Sequence, residues 1–249
     1  MGLPGVDVIE RAGLKAWPGI EVEYDGAWVR RAACGYTQRA NSIQSLDVTD
    51  DCNAAARLAA GRAWMEARGV QAIFRQTPLA GPRIVEVLDV EGWRTNDASH
   101  LFAMKLGSIA ADPHGEVFEL LDPRFLAAQQ ALRGYADDKL ERLKALLAVI
   151  EVPARGVVLY APDAAAVATS LMAVADGIVI TGNVITDTTQ RRKGYAAAMM
   201  RTGLAWAREA GATIAALNVA ADNLAGQGLY RGLGYTRQYD YCYRLPVAV

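Results

Sequence analysis

Two stretches of this chain repeat each other in register. Gly61-Arg62-Ala63-Trp64 corresponds to Gly203-Leu204-Ala205-Trp206, Gly69 to Gly211, and Gly92-Trp93 to Gly234-Tyr235, each pair 142 residues apart. Glycine gathers at helix ends in any αβ unit, but that habit does not place Ala-Trp in register as well. The chain therefore reads as a tandem duplication. Whatever one half folds into must be buildable twice within 249 residues.

The pattern of apolar residues and breakers supports this. Residues 5–16 have helical spacing (Val6, Ile9, Leu14) and stop before Trp17-Pro18. Residues 21–33 are β-type with a turn at Asp25-Gly26, and 35–46 are polar with strand-like fragments. Within them Arg39-Ala40-Asn41-Ser42 reads as a turn, or as a segment facing a cleft between the halves. A helix capped by Asp50 or Asp51 runs to Arg68 and closes at Gly69. A strand (70–77), a short helix (83–90) and a strand (98–106) follow.

After a linker at 110–115, two helices are expected at 123–135 and 138–150, the second opening with Asp138 and Glu141 like a capping box. Strands follow at 156–161, 166–175 and 178–186, then a helix to 210, a strand at 213–219, a short helix at 225–232 and a last strand at 238–245. Both halves end helix, strand, loop, short helix, strand. The predicted class is α/β (α+β), with domains at 1–112 and 113–249.

Composition narrows the function. With 26 Lys and Arg against 27 Asp and Glu, the chain lacks the basic excess of a dedicated nucleic-acid binder. Cys34, Cys52 and Cys242 are scattered and odd in number, which fits a reducing compartment. Two histidines assemble no zinc pattern. The longest apolar run, 164–175, is too short to span a bilayer, and the first residues do not resemble a signal peptide. The expectation is a soluble cytoplasmic protein that binds neither metal, nucleic acid nor membrane.

The chemistry concentrates between Val184 and Ala210. A strand ending Val184-Ile185-Thr186 feeds a basic turn, Arg191-Arg192-Lys193-Gly194-Tyr195-Ala196, which opens a helix. Unpaired N–H groups and the dipole at a helix N-terminus attract an anion, and glycine allows close backbone approach. An ordinary loop with solvated charges is the alternative. In the first half, the same register lands on Thr49-Asp50-Asp51-Cys52-Asn53-Ala54, where two carboxylates would repel a pyrophosphate. Anion binding belongs to the second half alone.

The order Arg191-x-x-Gly194-x-Ala196, then Asn223-x-Ala225, then Leu229-Tyr230 and Gly232-Leu233-Gly234-Tyr235, resembles the GNAT superfamily of acyl-CoA-dependent N-acetyltransferases. The resemblance covers roughly residues 155–245 and reaches the first half only through the duplication. It implies two tandem GNAT-like domains, each a mixed, mostly antiparallel sheet flanked by helices, the first degenerate. It also implies that the amides of Arg191, Arg192, Lys193, Gly194, Tyr195 and Ala196 bind the pyrophosphate of acetyl-CoA, that Ile185 and Thr186 pair with the pantetheine arm, and that Asn223 contacts that arm or orders its loop.

Tyr230 would be the general acid that protonates the leaving thiolate, although a packing role is open to it; its first-half counterpart is Leu88. Thr188 stands where the family commonly has proline. No general base is singled out among Asp176, Asp187, Asp222 and Asp240. The acceptor would be a primary amine of a small molecule or peptide. A non-catalytic acyl-CoA-binding module and a transferase using another acyl donor fit the same motifs. Tyr239, Tyr241 and Tyr243 alternate with Asp240 and Cys242 in the last strand, as packing residues or as the wall of an acceptor pocket.

Overall fold

In the computed structural model, which describes residues 2–247, the first half runs α1 (Val6–Ala16), β1 (Glu21–Asp25), β2 (Trp28–Ala32), a 3-10 turn (Gln38–Ala40), β3 (Ile43–Ser45), α2 (Ala54–Glu66), β4 (Phe74–Gln76), α3 (Pro82–Val90) and β5 (Arg94–Lys105). The second runs β6 (Gly115–Phe118), α4 (Pro123–Arg133), α5 (Asp137–Leu147), β7 (Ala154–Tyr160), β8 (Ala166–Ala175), β9 (Ile178–Thr186), a 3-10 turn (Thr188–Gln190), α6 (Tyr195–Glu209), β10 (Ile214–Ala220), α7 (Leu224–Gly232) and β11 (Thr236–Leu245). The 142-residue register extends to element bounds: α3 and α7 begin at Pro82 and Leu224 and end at Val90 and Gly232.

The eleven strands of the described residues form one sheet, in the order β1-β2-β3-β4-β11-β5-β10-β9-β8-β7-β6. The pairs β3–β4 and β9–β10 are parallel and the others antiparallel. The two final strands are exchanged. β11 of the second half pairs with β4 of the first, β5 of the first pairs with β10 of the second, and β5 and β11 pair with each other. Both exchanged pairings, β11 with β4 and β5 with β10, are antiparallel.

Helices cover both faces of the sheet, and β8 shows the consequence. Leu171, Ala173 and Ala175 enter a core with α1, α4 and α5, while Ala168, Met172 and Val174 enter another with α6. Strict alternation divides a nearly all-apolar strand between two layers. The repeated Gly61 and Gly203 let their helices lie close to the sheet. A Cβ on Gly61 would stand 2.6 Å from Ile43 Cδ1, and one on Gly203 would stand 2.4 Å from Met172 Cε. The repeated tryptophans each stack near an arginine of an outer strand, Trp64 near Arg30 and Trp206 near Arg155.

Several local expectations change. The N-cap of α2 is Asn53, in the left-handed region at φ 55°, and neither Asp50 nor Asp51 caps that helix. α5 has Ala136 at its N-cap and no capping box; Asp138 pairs with Arg142 and Glu141 with Lys144. The linker ends in a strand, β6, and is pinned to α6 where Thr202 Oγ1 accepts from Asp112 N–H at 3.1 Å. β4 is three residues long because β11 and β3 pair with it only briefly.

Candidate active site

β9 and β10 run together only as far as Thr181 and Leu217. Beyond Thr181, β9 follows β8 through a bulge, its pairing passing from Leu171–Gly182 to Thr169–Ile185. The extra residue bends the strand away from β10. Residues of the first half hold this bend. The ring of Trp17 packs on Gly182, where a Cβ would stand 2.5 Å from it. Asn183, at φ 47°, donates through Nδ2 to the Tyr36 hydroxyl at 2.9 Å, which lies 2.8 Å from the Tyr135 hydroxyl.

The splay opens a cleft of about 310 Å³. One side is formed by Ile185, Val219, Asn223 and Tyr230, the other by Thr37, Arg39, Arg133 and Tyr135. Thr181 and Asn218 lie between them along the strands. The first half thus reaches the cleft through Thr37 and Arg39.

Of the residues singled out in the sequence, Ile185, Asn223 and Tyr230 come together in this cleft. Thr186 ends β9, paired with Ala168 of β8, and does not line it. Asn223 caps α7, its Oδ1 accepting from Gly226 N–H at 2.9 Å. Tyr230 is buried on α7 and packs edge-on against Tyr235 at 6.0 Å. Burial pushes its phenol up to about 12, with the positive charge of Arg39 acting in the opposite direction. The hydroxyl therefore keeps its proton at neutral pH.

The basic turn follows β9 directly. Asp187 opens it by accepting from Thr189 N–H at 2.8 Å. Arg192 (φ 62°) and Gly194 (φ 84°) are both left-handed, and Gly194 is the N-cap of α6 with no side-chain cap. With no side-chain cap, the first N–H groups of α6 are left for another acceptor. Arg191 to Gly194 are exposed, and Tyr195 and Ala196 half-buried. A Cβ on Gly194 would meet no other protein atom, so within the protein it is the left-handed conformation that calls for glycine. Lys193 donates to Gln190 Oε1 at 2.7 Å.

The matching turn of the first half is closed. Asp50 accepts from Ala27 N–H at 2.7 Å and from Arg57 at 2.8 Å, and Asp51 accepts from Arg83 N–H at 3.2 Å in the first turn of α3.

None of the four candidate bases lines the cleft. Asp176 pairs with Lys15, Asp187 holds its own turn, Asp240 pairs with Arg237 and His100, and Asp222 lies in an exposed turn. The three tyrosines of β11 are buried away from the cleft, around an ion pair not evident in the sequence. Arg75 donates to Glu10 through Nη2 at 2.8 Å and Nε at 3.1 Å, and lies over the Tyr241 ring at 3.6 Å. Tyr239 donates to Glu10 at 2.6 Å, and Tyr243 accepts from Arg75 at 3.3 Å. Burial by itself would raise the Glu10 carboxyl, but Arg75 and these donors hold it below its ordinary value.

Among the described residues no cluster of His, Cys, Asp and Glu is placed to hold a metal ion, and no helix is long and apolar enough to cross a membrane.

Known structures share this architecture over the whole chain. A GCN5-related N-acetyltransferase from Kribbella flavida superimposes with a TM-score of 0.74 at 20% identity, covering 100% of this chain and 98% of that one. A tandem GNAT protein from the clavulanic acid biosynthesis pathway gives 0.65 at 11% identity, covering 97% and 87%. A GCN5-related N-acetyltransferase from Sphaerobacter thermophilus gives 0.64 at 16% identity, covering 88% and 76%. A search of curated sequences finds no match. The fold is that of the GCN5-related N-acetyltransferases, an acyltransferase scaffold. Within it, the chain belongs to the family described as probable histone acetyltransferase Rv0428c C-terminal, whose model matches residues 6–244.

Proposed function

We propose that this protein is an N-acetyltransferase in which acetyl-CoA binds the second half and a primary amine attacks the thioester directly. The observation that carries the reading is the continuity of the splayed β9, lined by Ile185 and facing Tyr230, with the uncapped N-terminus of α6. The amides of Arg191 to Ala196 hold the pyrophosphate, helped by three cationic side chains. The end of β9 at Ile185 and Thr186, unpaired on the β10 side, offers backbone groups to the pantetheine arm as a neighbouring strand would. Asn223 shapes the opposite edge by fixing the start of α7.

The task left to the protein is to orient two reactants and to stabilise the tetrahedral oxyanion with a β9 N–H. Tyr230 then donates its proton to the departing thiolate, and the proton shed by the amine nitrogen as the amide forms restores the phenol. A phenol raised by burial still suits this, because the same surroundings raise the basicity of the thiolate. With no carboxylate lining the cleft, the amine must enter neutral, and Arg39 and Arg133 favour that form by repelling an ammonium.

The reading takes residues 1–112 as a copy without the cofactor motif, kept for architecture and for shaping the substrate cleft, and 113–249 as the copy that binds the cofactor. The test is thiol release from acetyl-CoA across a panel of amines, with Tyr230→Phe as control. Amine-dependent release that falls in Tyr230→Phe supports the reading. Tight acetyl-CoA binding without release for any amine would leave a non-catalytic acyl-CoA-binding module.

A further inference from the structure

The charges around the acceptor side of the cleft do not balance. Arg39 and Arg133 line it, together with Thr37, Tyr135, Thr181 and Asn218, and among the described residues no carboxylate does. Arg39 lies beside the Trp17 ring at 5.3 Å, and its Nε is buried with no hydrogen-bond acceptor. Behind it is a small void lined by Arg39, Arg31, Gln44, Asn218 and the pair Glu10–Arg75.

Arg31 is 2% exposed and donates only to neutral groups: Trp17 O at 2.9 Å, and Ser42 Oγ and Gln44 Oε1 at 3.2 Å. Burial, with Arg75 adding to it, pushes Arg31 down to about 10, so it remains charged at neutral pH. Three guanidiniums thus face one carboxylate, Glu10, and that carboxylate is already bidentate to Arg75. A buried excess of like charge is costly unless an anion is brought to it.

We infer that the acceptor amine carries a carboxylate, which docks on Arg39 beside Arg133 while the amine points at the thioester. The inference rests on the acetyltransferase reading above and names its acceptor class. A guanidinium presents a planar fork that matches a carboxylate with two parallel hydrogen bonds, and it stays charged throughout the working pH range. Nε is enclosed, so the Nη groups of Arg39 supply those donors. Asn218 and Thr37 are polar and uncharged, and would bond the remainder of a small polar molecule. A cleft of about 310 Å³, shared with the acyl end of the cofactor, suits an acceptor of amino-acid size. A lysine-rich peptide would bring cations to a cationic surface and leave the Arg39 donors unpaired.

The experiment measures thiol release from acetyl-CoA with L-alanine, L-serine and L-glutamate, with the corresponding carboxamides, and with a lysine-rich peptide. The wild type and Arg39→Gln are compared, with Arg133→Gln as a second variant. Acetyl-CoA affinity of each protein is measured in parallel by calorimetry. The expected result is kcat/KM at least tenfold higher for the acids than for their amides, with the peptide poorest. Arg39→Gln should erase that preference, mainly through KM, while its acetyl-CoA affinity and melting temperature stay near wild type.

Equal turnover of acids and amides, preference for the peptide, or a preference that survives in both variants overturns the inference while leaving the transferase reading standing. Absence of acetyl-CoA binding in the wild type overturns both.

Discussion

Replacing Glu10 by glutamine tests how the two halves are locked together. Glu10 lies on α1, and its four hydrogen bonds reach Arg75 on β4, Gln44 on β3 and Tyr239 on β11. They therefore join the first half to the exchanged final strand of the second. Both partners of the ion pair are almost inaccessible, at 4% and 5% side-chain exposure. The substitution keeps the volume but removes the only carboxylate among the described residues that lines the void with Arg75 and Arg31, and it points an N–H₂ group at one of the Arg75 donors. Breaking a buried pair from one side costs roughly 3–5 kcal/mol. For a chain of this length, at about 2–4 °C per kcal/mol, the melting temperature should fall by about 6–20 °C.

The pH dependence follows from the same pair. The folded carboxyl is held below its ordinary value of 4.5, so its contribution is complete above that value and is lost as pH falls through the lower folded one. The difference between wild type and Glu10→Gln should therefore be constant near neutrality and shrink below about pH 4. Urea unfolding at pH 7 and across the acid range measures both effects. A destabilisation under about 1 kcal/mol at pH 7, or a gap that widens in acid, would refute the assignment of Glu10 as the charged centre of the lock.

Three further outcomes are expected. Gly203→Ala should destabilise by roughly 1–3 kcal/mol in denaturant unfolding, because the added carbon meets Met172 and Val157 inside a packed layer; a neutral result would mean that α6 can move off the sheet. Asn223→Ala removes the N-cap of α7 and should cost about 1 kcal/mol. Its acetyl-CoA affinity, measured alongside, separates capping from cofactor contact. Tyr230→Phe should lower kcat by about a hundredfold or more while leaving acetyl-CoA affinity near wild type; unchanged kcat would reduce Tyr230 to a packing residue.

Much of the fold was legible because the 142-residue register gives the same element order twice. Gly61 and Gly203 mark the same close helix–sheet contact, and Gly69 and Gly211 the same left-handed turn after a helix. The strand exchange was not legible. β5 and β11 are equivalent copies, so local pattern is the same whichever partner each chooses, and the choice is made by contacts far apart in sequence. β6 was missed because four residues next to a proline- and glycine-containing linker carry almost no periodicity.

The caps were misread for a related reason: Asp51 is spent on α3, a helix thirty residues further on, and not on the one it precedes. On the cofactor side, Ile185, Asn223 and Tyr230 were readable because their motif is local. Thr37, Arg133 and Asn218 were not, since a cleft built from a 3-10 turn, two helices and two strands leaves no spacing in the chain. Arg39 was read as part of a segment that is a turn or faces a cleft between the halves; it does line the cleft, and the burial of its Nε beside Trp17 is what gives it meaning.

The central claim is that one of two related turns binds the cofactor, and a paired calorimetric titration with acetyl-CoA tests it most directly. In Gly194→Glu, a side chain is placed at φ 84° in open space, so the strain stays near 1–2 kcal/mol and the protein should remain folded. The new carboxylate nevertheless sits where the pyrophosphate must go. In Cys52→Glu, the mirror position of the first half, the thiol is exposed and the turn already carries Asp50 and Asp51. The account predicts that binding is lost in Gly194→Glu and unchanged in Cys52→Glu. Wild-type affinity in Gly194→Glu, or loss of binding in Cys52→Glu, would contradict it.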